Sequence, residues 1–397
     1  MSADPILDPA RQAQARVYAR LRLWIWVGQR LAGAAYLLLW IVLGWSQSVR
    51  NALTPSDPQG AWAMIIPWWM TLVLTAAAVE IPWVVLNLPL DFYAGFALPH
   101  RFGLSTQSRR DWVVDLIKGG SVSTSTGIPL LIGLYFCIRV SPQVWWLWAG
   151  LGYTLLGVVL TAVAPLTLMP LFYRIKPLAD EHALLARRLI SLADRAGTRV
   201  RGVFAFDLSR RTRAANAALV GLGRTRRVLL GDTLLTEFSE DEIETVLAHE
   251  LAHHAHGDIP LGLLVGGVAS VGMFSVVGQV YTRLAAIQGL AGLADPAGLP
   301  AIALLLGTVS LLLAPLRNAY SRWRESLADA FALRLTGNPQ AFASAMIRVA
   351  NQNLAEVDPP RWVVLLFYEH PPLRARIERA GQQPADPGSA SASDRRR

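Results

Sequence analysis

Six stretches of this chain are apolar for long enough to cross a bilayer, and that pattern constrains its fold more than any other feature. A hydrocarbon core about 30 Å thick takes roughly 20 helical residues. Runs of that order lie at Leu23 to Ser46, Ala61 to Leu88, Ser121 to Val140, Val144 to Phe172, Ile259 to Tyr281 and Leu299 to Leu316. Only 16% of the 397 residues are charged, against roughly 25% in a soluble protein. That is too little charge to coat so large a globular surface, so lipid is expected to cover part of it. Met1 to Leu21 is polar and Arg-bearing, and no small-residue cleavage site follows the first run, so the N-terminus is expected to stay attached.

Lys and Arg in the short flanks set the orientation. Arg11, Arg16, Arg20 and Arg22 precede the first run; Arg101, Arg109, Arg110 and Lys118 separate the second from the third; Arg317, Arg322 and Arg324 follow the sixth. The opposite loops carry Arg50, Arg139 and Arg283, one apiece, so both termini are expected in the cytoplasm. Trp62, Trp68, Trp69, Trp145, Trp146 and Trp148 crowd the ends of runs two and four, where an amphipathic ring suits either the headgroup zone or a packed core. Gln29, Arg30 and Glu80 interrupt apolar runs. Such groups imply a hydrated interior, unless Arg30 snorkels and Glu80 lies near an interface. The net charge of +9 comes without an interleaved aromatic reading surface, which argues against nucleic acid as a partner. The one cysteine, Cys137, excludes a disulfide framework and a Cys-rich zinc site.

Polar sequence is confined to islands. The boundaries drawn from composition are a cytoplasmic segment 1–22, four spans over 23–172 with a cytoplasmic loop at 89–120, a first polar island 173–258, two spans over 259–316, a second island 317–381 and a disordered tail 382–397. In the first island Leu185, Leu189 and Leu192 recur at helical spacing across Asp180 to Ala196, and Gly197 stops that helix. Val200 to Phe206 reads as a strand, and Ala214 to Val220 with Arg226 to Gly231 as a hairpin. The second island reads as a helix over Ala319 to Thr336, ended by Gly337 and Pro339, and another over Gln340 to Asn351.

Four of the seven histidines fall within eight residues, and His249-Glu250-Leu251-Ala252-His253 is an H-E-x-x-H motif. Ser239 and Glu242 predict a capping box for its helix, with Ile243, Val246 and Leu247 continuing the period. Residues four apart share a helix face, so His249 and His253 can both reach one zinc ion, while Glu250, roughly 100° round, reaches its water. A zinc ion brings that water toward a pKa near 7, and a carboxylate that takes its proton makes amide hydrolysis the implied reaction. A catalytic zinc takes three protein ligands, and Glu325, on the helix that an out-and-back pair of spans returns to the same face, is the choice for the third. Asp329, one turn on, is placed to fix a ligand histidine's tautomer. On the residues alone, Glu325 and Asp329 also suit a solvated face paired with Arg322 or Arg324. His254 and His256 read as structural, and Asp258 as the cap of the next helix with Pro260 just inside it.

These residues, with four further motifs, resemble the CAAX prenyl protease type 1 family of sterile-type zinc metalloendopeptidases, gluzincins of bacterial-like character here. The motifs are Tyr93-Ala94-Gly95-Phe96 with Phe102 to Gln107 and Trp112; Asn216-Ala217 through Gly221 to Asp232-Thr233-Leu234-Leu235; Arg322 with Glu325-Ser326-Leu327-Ala328-Asp329; and His370-Pro371-Pro372-Leu373 with Arg376-Ile377. The resemblance covers most of the chain. It implies His249, His253 and Glu325 as ligands of one zinc per chain, Glu250 as base and Asp329 as support. It further implies that Asn216, His370 and Arg376 face the scissile peptide, Asn216 holding an extended substrate on a strand edge and the other two donating to an oxyanion. The chain departs from eukaryotic members, which have seven spans, and from their usual Gly and His at Ala252 and Asp258. That turns the expected substrate from prenylated CAAX peptides toward membrane proteins under quality control.

The expected fold is predominantly α, a polytopic membrane protein with about six transmembrane helices plus a small α/β zincin-like metallopeptidase domain. The expected setting is an inner membrane, with lipid and an extended peptide or membrane protein as partners and the active site on the cytoplasmic side. A heat-shock-type quality-control protease shares this chemistry with fewer spans. A site-two-type protease would bury its H-E-x-x-H in a span, which Ser239 to Glu244 argue against, and a transporter with a structural metal site would explain the spans and Glu80 without peptidase activity.

Overall fold

A computed structural model describes residues 6–54, 66–221 and 223–382. Helix α1 (Pro9–Val42) starts on Asp8, whose carboxylate accepts the amides of Ala10 and Arg11, with Pro9 at its first position. The first apolar run is not one helix through Ser46: Gly44 turns left-handed at φ 65°, and a separate short helix, Trp45–Leu53, follows. The second run forms α2 (Trp68–Phe92); Ala61 to Ile65 lie outside the described residues. Pro89 cannot donate to the helical ladder, and a π-turn over Tyr93–Ala97 carries the helix on to Arg101. Helix α3 (Arg109–Val140) begins well before its apolar run because Ser108 caps it on the Asp111 amide, and α4 (Trp145–Thr167) completes the first four membrane helices.

The first polar island then folds as β1 (Ile175–Pro177), α5 (Ala183–Arg195), β2 (Val203–Phe206), β3 (Ala217–Val220), β4 (Arg227–Gly231) and α6 (Glu240–Ala255). The sheet order is β1-β2-β4-β3, with β2 and β4 parallel and the hairpin of β3 and β4 antiparallel, which leaves β3 as an edge strand. Leu185, Leu189 and Leu192 of α5, Val228 and Leu230 of β4, and Ile243, Leu247 and Leu251 of α6 close one core. Burying such side chains stabilises by about 1.5 to 3 kcal/mol each.

The chain returns to the membrane as α7 (Asp258–Ile287) and α8 (Leu299–Thr336), then ends in α9 (Pro339–Gln352), α10 (Arg361–Phe367) and α11 (Leu373–Gly381). The sixth apolar run and the polar helix expected after it are one continuous rod, α8, which stops at left-handed Gly337. Among the described residues six helices are long and apolar enough to cross a membrane. They form a ring in chain order: α1, α2, α3, α4, α7 and α8 each pack against the next, and α8 closes on α1. Only 0% to 22% of each apolar stretch is buried inside the protein, so the ring is not a solid bundle. Polar groups in the spans find specific partners within it: Gln29 and Asn87 both donate to Asp91 at 2.8 Å, and the Arg30 guanidinium stacks over Trp26. Glu80 is exposed.

The start of α1 docks on the second island, where Gln12 exchanges hydrogen bonds with Ala355 and Val357 at 3.1 Å. The first turns of α3 and the loop before it are tied to the approach of β3 by a bidentate Arg211–Asp115 pair at 2.7 and 2.8 Å and by the Arg213 amide on Leu104. Both contacts hold the edge strand against the membrane part.

Candidate metal centre

The helix that carries the H-E-x-x-H motif is fixed at its start. Ser239 accepts the Glu242 amide at 3.3 Å while Glu242 reaches back to the Ser239 amide at 2.7 Å, the expected capping box. The other oxygen of buried Glu242 takes Arg348 and Ser344 of α9, so the cap is also a tertiary clamp. Ile243, Leu247 and Leu251 turn into the core, leaving His249, Glu250 and His253 on another face toward α8.

There the two rings meet one carboxylate. His249 Nε2 lies 3.2 Å from Glu325 Oε2, and His253 Nε2 lies 3.5 Å from Glu325 Oε1. One ligating atom from each of the three residues falls within 4.8 Å of the others. Each Nδ1 is held from behind: His249 by Asp329 at 2.9 Å, His253 by Asp258 at 2.7 Å. A carboxylate on Nδ1 fixes the tautomer that leaves the Nε2 lone pair pointing inward.

Two imidazole lone pairs and a carboxylate converging in a buried space need a cation between them. Glu325 Oε2 is buried and accepts no hydrogen bond of good geometry, an orphaned acceptor at the focus of the cluster. His249 reports the same deficit: burial opposes its charged form, yet the carboxylates of Asp329 and Glu325 beside it outweigh burial and push it up to about 9. Two His nitrogens and a carboxylate oxygen are the donor set of a catalytic zinc site with one open position. Glu250 sits beside this focus, and burial raises its carboxyl above the ordinary value against the pull of His249 and His253.

Residues 179–383, just over half of the chain, match the model of peptidase family M48. The chain belongs to that family. Residues 2–174 match a second model, described as the CAAX prenyl protease N-terminal region with five membrane helices. The chain is 26% identical over 389 residues to an uncharacterized metalloprotease, YhfN, of Bacillus subtilis, an alignment spanning 96% of this chain and 88% of that protein. It is 28% identical over 316 residues to CAAX prenyl protease 1 of Saccharomyces cerevisiae, spanning 74% of this chain and 68% of that one. The crystal structure of S. mikatae Ste24p superposes with a TM-score of 0.82 at 23% identity, covering 96% of this chain and 92% of the other, so the fold is shared. This M48 chain is a membrane-embedded, multi-span metalloprotease, and its family implies a metal, typically zinc.

Around the M48 centre the other expected residues separate. His370 is brought in: its Nε2 lies 3.4 Å from Glu325 Oε2, with the side chain 60% exposed. Arg322 of α8 holds the end of α10, just before His370 in the chain, by hydrogen bonds to the carbonyls of Val364 and Tyr368. Asn216 is exposed at the start of edge strand β3, its carbonyl taken by the Gly231 amide. Arg376 contacts Asp329 and His249. It is buried on the Nδ1 side of His249, opposite Glu325, and its Nε and Nη2 bind Asp329 at 2.9 and 2.5 Å. The guanidinium there holds Asp329 through two of its three nitrogens.

Asp258 corrects an expectation. Helix α7 is preceded by left-handed Gly257 and carries no side-chain cap; the Asp258 carboxylate turns back to His253 and to Arg324 instead. The only signal for this in the sequence is its place five residues after His253 across a glycine. His254 reaches the Leu219 carbonyl of β3 at 3.3 Å, and His256 packs on Phe331, both consistent with the structural reading.

Proposed function

We propose that this chain is a zinc endopeptidase that cleaves extended peptide segments at the cytoplasmic surface of the membrane. The carrying observation is the convergence of His249, His253 and Glu325 on one focus with Glu250 beside it and Glu325 Oε2 left without a hydrogen bond. One zinc ion held by those three residues would supply Lewis acidity, acidifying a water and polarising a peptide carbonyl. Asp329, held by Arg376, keeps His249 in the ligating tautomer. The raised Glu250 carboxyl takes the proton as water attacks and passes it to the departing amine. His370, on the exposed side of the cluster, donates to the developing oxyanion, and the outer edge of β3, which no strand pairs, holds the substrate backbone with Asn216 at its start.

The position of the site supports the membrane-surface reading. Glu325 lies nine residues past Leu316, the end of the sixth apolar run, about 13 Å along the helix. The Arg-rich flanks support a cytoplasmic side for site and termini. Membrane proteins with a segment unfolded at that surface fit this placement. Purified wild-type chain is expected to carry one zinc and to cleave an unfolded membrane-protein substrate. Glu250→Gln is expected to keep the zinc and lose about 10²- to 10⁴-fold in rate. Equal rates would remove Glu250 as the base.

A further inference from the structure

We propose that Asp258 and Arg324 form a positioning pair for His253, the counterpart of Asp329 and Arg376 on His249; the inference rests on the zinc reading above. The two arrangements share a plan, although Arg376 grips both oxygens of Asp329 and Arg324 only one of Asp258. In each, histidine Nδ1 meets one carboxylate oxygen, at 2.9 Å for Asp329 and 2.7 Å for Asp258. In each, an arginine holds that carboxylate: Arg376 on Asp329, and Arg324 on the second oxygen of Asp258. In each, Nε2 is left toward Glu325. The Asp258 and Arg324 side chains are each 13% exposed, so the contact is shielded from solvent, and Arg324 is further pinned over the Trp323 ring.

The difference lies in what the two carboxylates stand on. Asp329 belongs to α8 and its arginine to α11, both on the polar side. Asp258 is the first residue of α7, and Arg324 is the residue before Glu325 on α8. His253 is therefore oriented by both legs of the α7–α8 hairpin, and a shift of α7 against α8 moves the ring directly. Without the carboxylate, His253 is free to exchange tautomers and turn, and its Nε2 is a weaker base. Partners of this kind change metal affinity by about 10- to 100-fold.

The test is zinc affinity by competition with a chelator, on the full chain in detergent or nanodiscs, for wild type, Asp258→Asn, Arg324→Gln and the double variant. Asp258→Asn is expected to weaken zinc by about 10- to 100-fold and Arg324→Gln by less. The double variant should be no weaker than Asp258→Asn alone, and Asp258→Glu should restore part of the loss. Asp295→Asn, in a buried Arg–Asp pair remote from the site, should lower the melting temperature and leave zinc affinity unchanged. Wild-type affinity in Asp258→Asn overturns the positioning role, and losses that multiply in the double variant overturn the link between Arg324 and Asp258. If Asp258→Asn does not accumulate, wild-type affinity in Arg324→Gln overturns the pair. Wild type that binds no zinc overturns the metal-centre reading instead.

Discussion

Two buried arginine–aspartate pairs brace opposite ends of the α7–α8 hairpin, and only one of them touches a histidine. At the loop end, Asp295 takes Arg50 from the short helix after α1 and also accepts the amides of Ala291 and Ala297. It closes a turn and ties the first membrane helix to the last two. At the other end, Asp258 takes Arg324 and turns its second oxygen to His253. The chemistry of each pair is the same; the third group it contacts decides whether it braces the fold or tunes a site. A buried ion pair alone is weak evidence of function, because its desolvation offsets most of its attraction.

Glu325→Ala makes the largest break at the site end. It removes the residue on which both histidines converge, and zinc content is expected to fall from one per chain to near zero. Cleavage should drop roughly 10³-fold or more, about 4 kcal/mol of transition-state stabilisation, while the thermal melt of the metal-free chain stays close to wild type. Zinc retained at full stoichiometry, measured by elemental analysis, would remove Glu325 as a ligand.

Asp295→Ala makes the corresponding break at the loop end. It strands Arg50 and leaves two backbone amides without their acceptor, so about 3 kcal/mol of stability should be lost. The readout is a denaturation curve beside a zinc measurement, and stoichiometry should remain at one. Loss of zinc at matched folding would join the two ends and end the separation of roles.

What could be read in advance follows the range of the interaction. Apolar length located the six spans, and the cap at Ser239, the hairpin of β3 and β4 and the stop at Gly337 are local patterns that the structure repeats. The spacing of His249 and His253 is likewise local, and Glu325 and Asp329 could be chosen because a hairpin of spans returns the chain to its own side. The partners of Asp258 and Arg376 were not legible for a shared reason. A carboxylate near a helix start or an arginine near a site has several partners open to it, and the choice is made by side chains far away in sequence, Arg324 in one case and Asp329 in the other. The left-handed break at Gly44 was hidden because glycine in an apolar run carries no mark of its conformation.

Between the two ion pairs, α7 lies against α4 along a seam of small residues, and that seam supplies the smallest and most local test. A Cβ built on Gly150 would meet the Val271 Cα at 2.7 Å, a backbone atom that cannot rotate away. Ser270 also donates to the Gly150 carbonyl at 3.2 Å, so the helices touch through main chain as in other small-residue membrane contacts. Gly150→Ala gains about 1 kcal/mol of helix propensity and meets an overpacking cost of about 1 to 3 kcal/mol. The net expectation is a loss of about 1 kcal/mol. Gly152, two residues on with nothing within 4 Å of its built Cβ, is the control: Gly152→Ala should be neutral or slightly stabilising. The comparison of melting temperatures isolates the seam, because both variants add one methyl to the same helix. If His253 is seated by both legs of the hairpin, Gly150→Ala should also weaken zinc by a few-fold while Gly152→Ala leaves it unchanged, since only the former pushes α7, and with it Asp258, away from its neighbour.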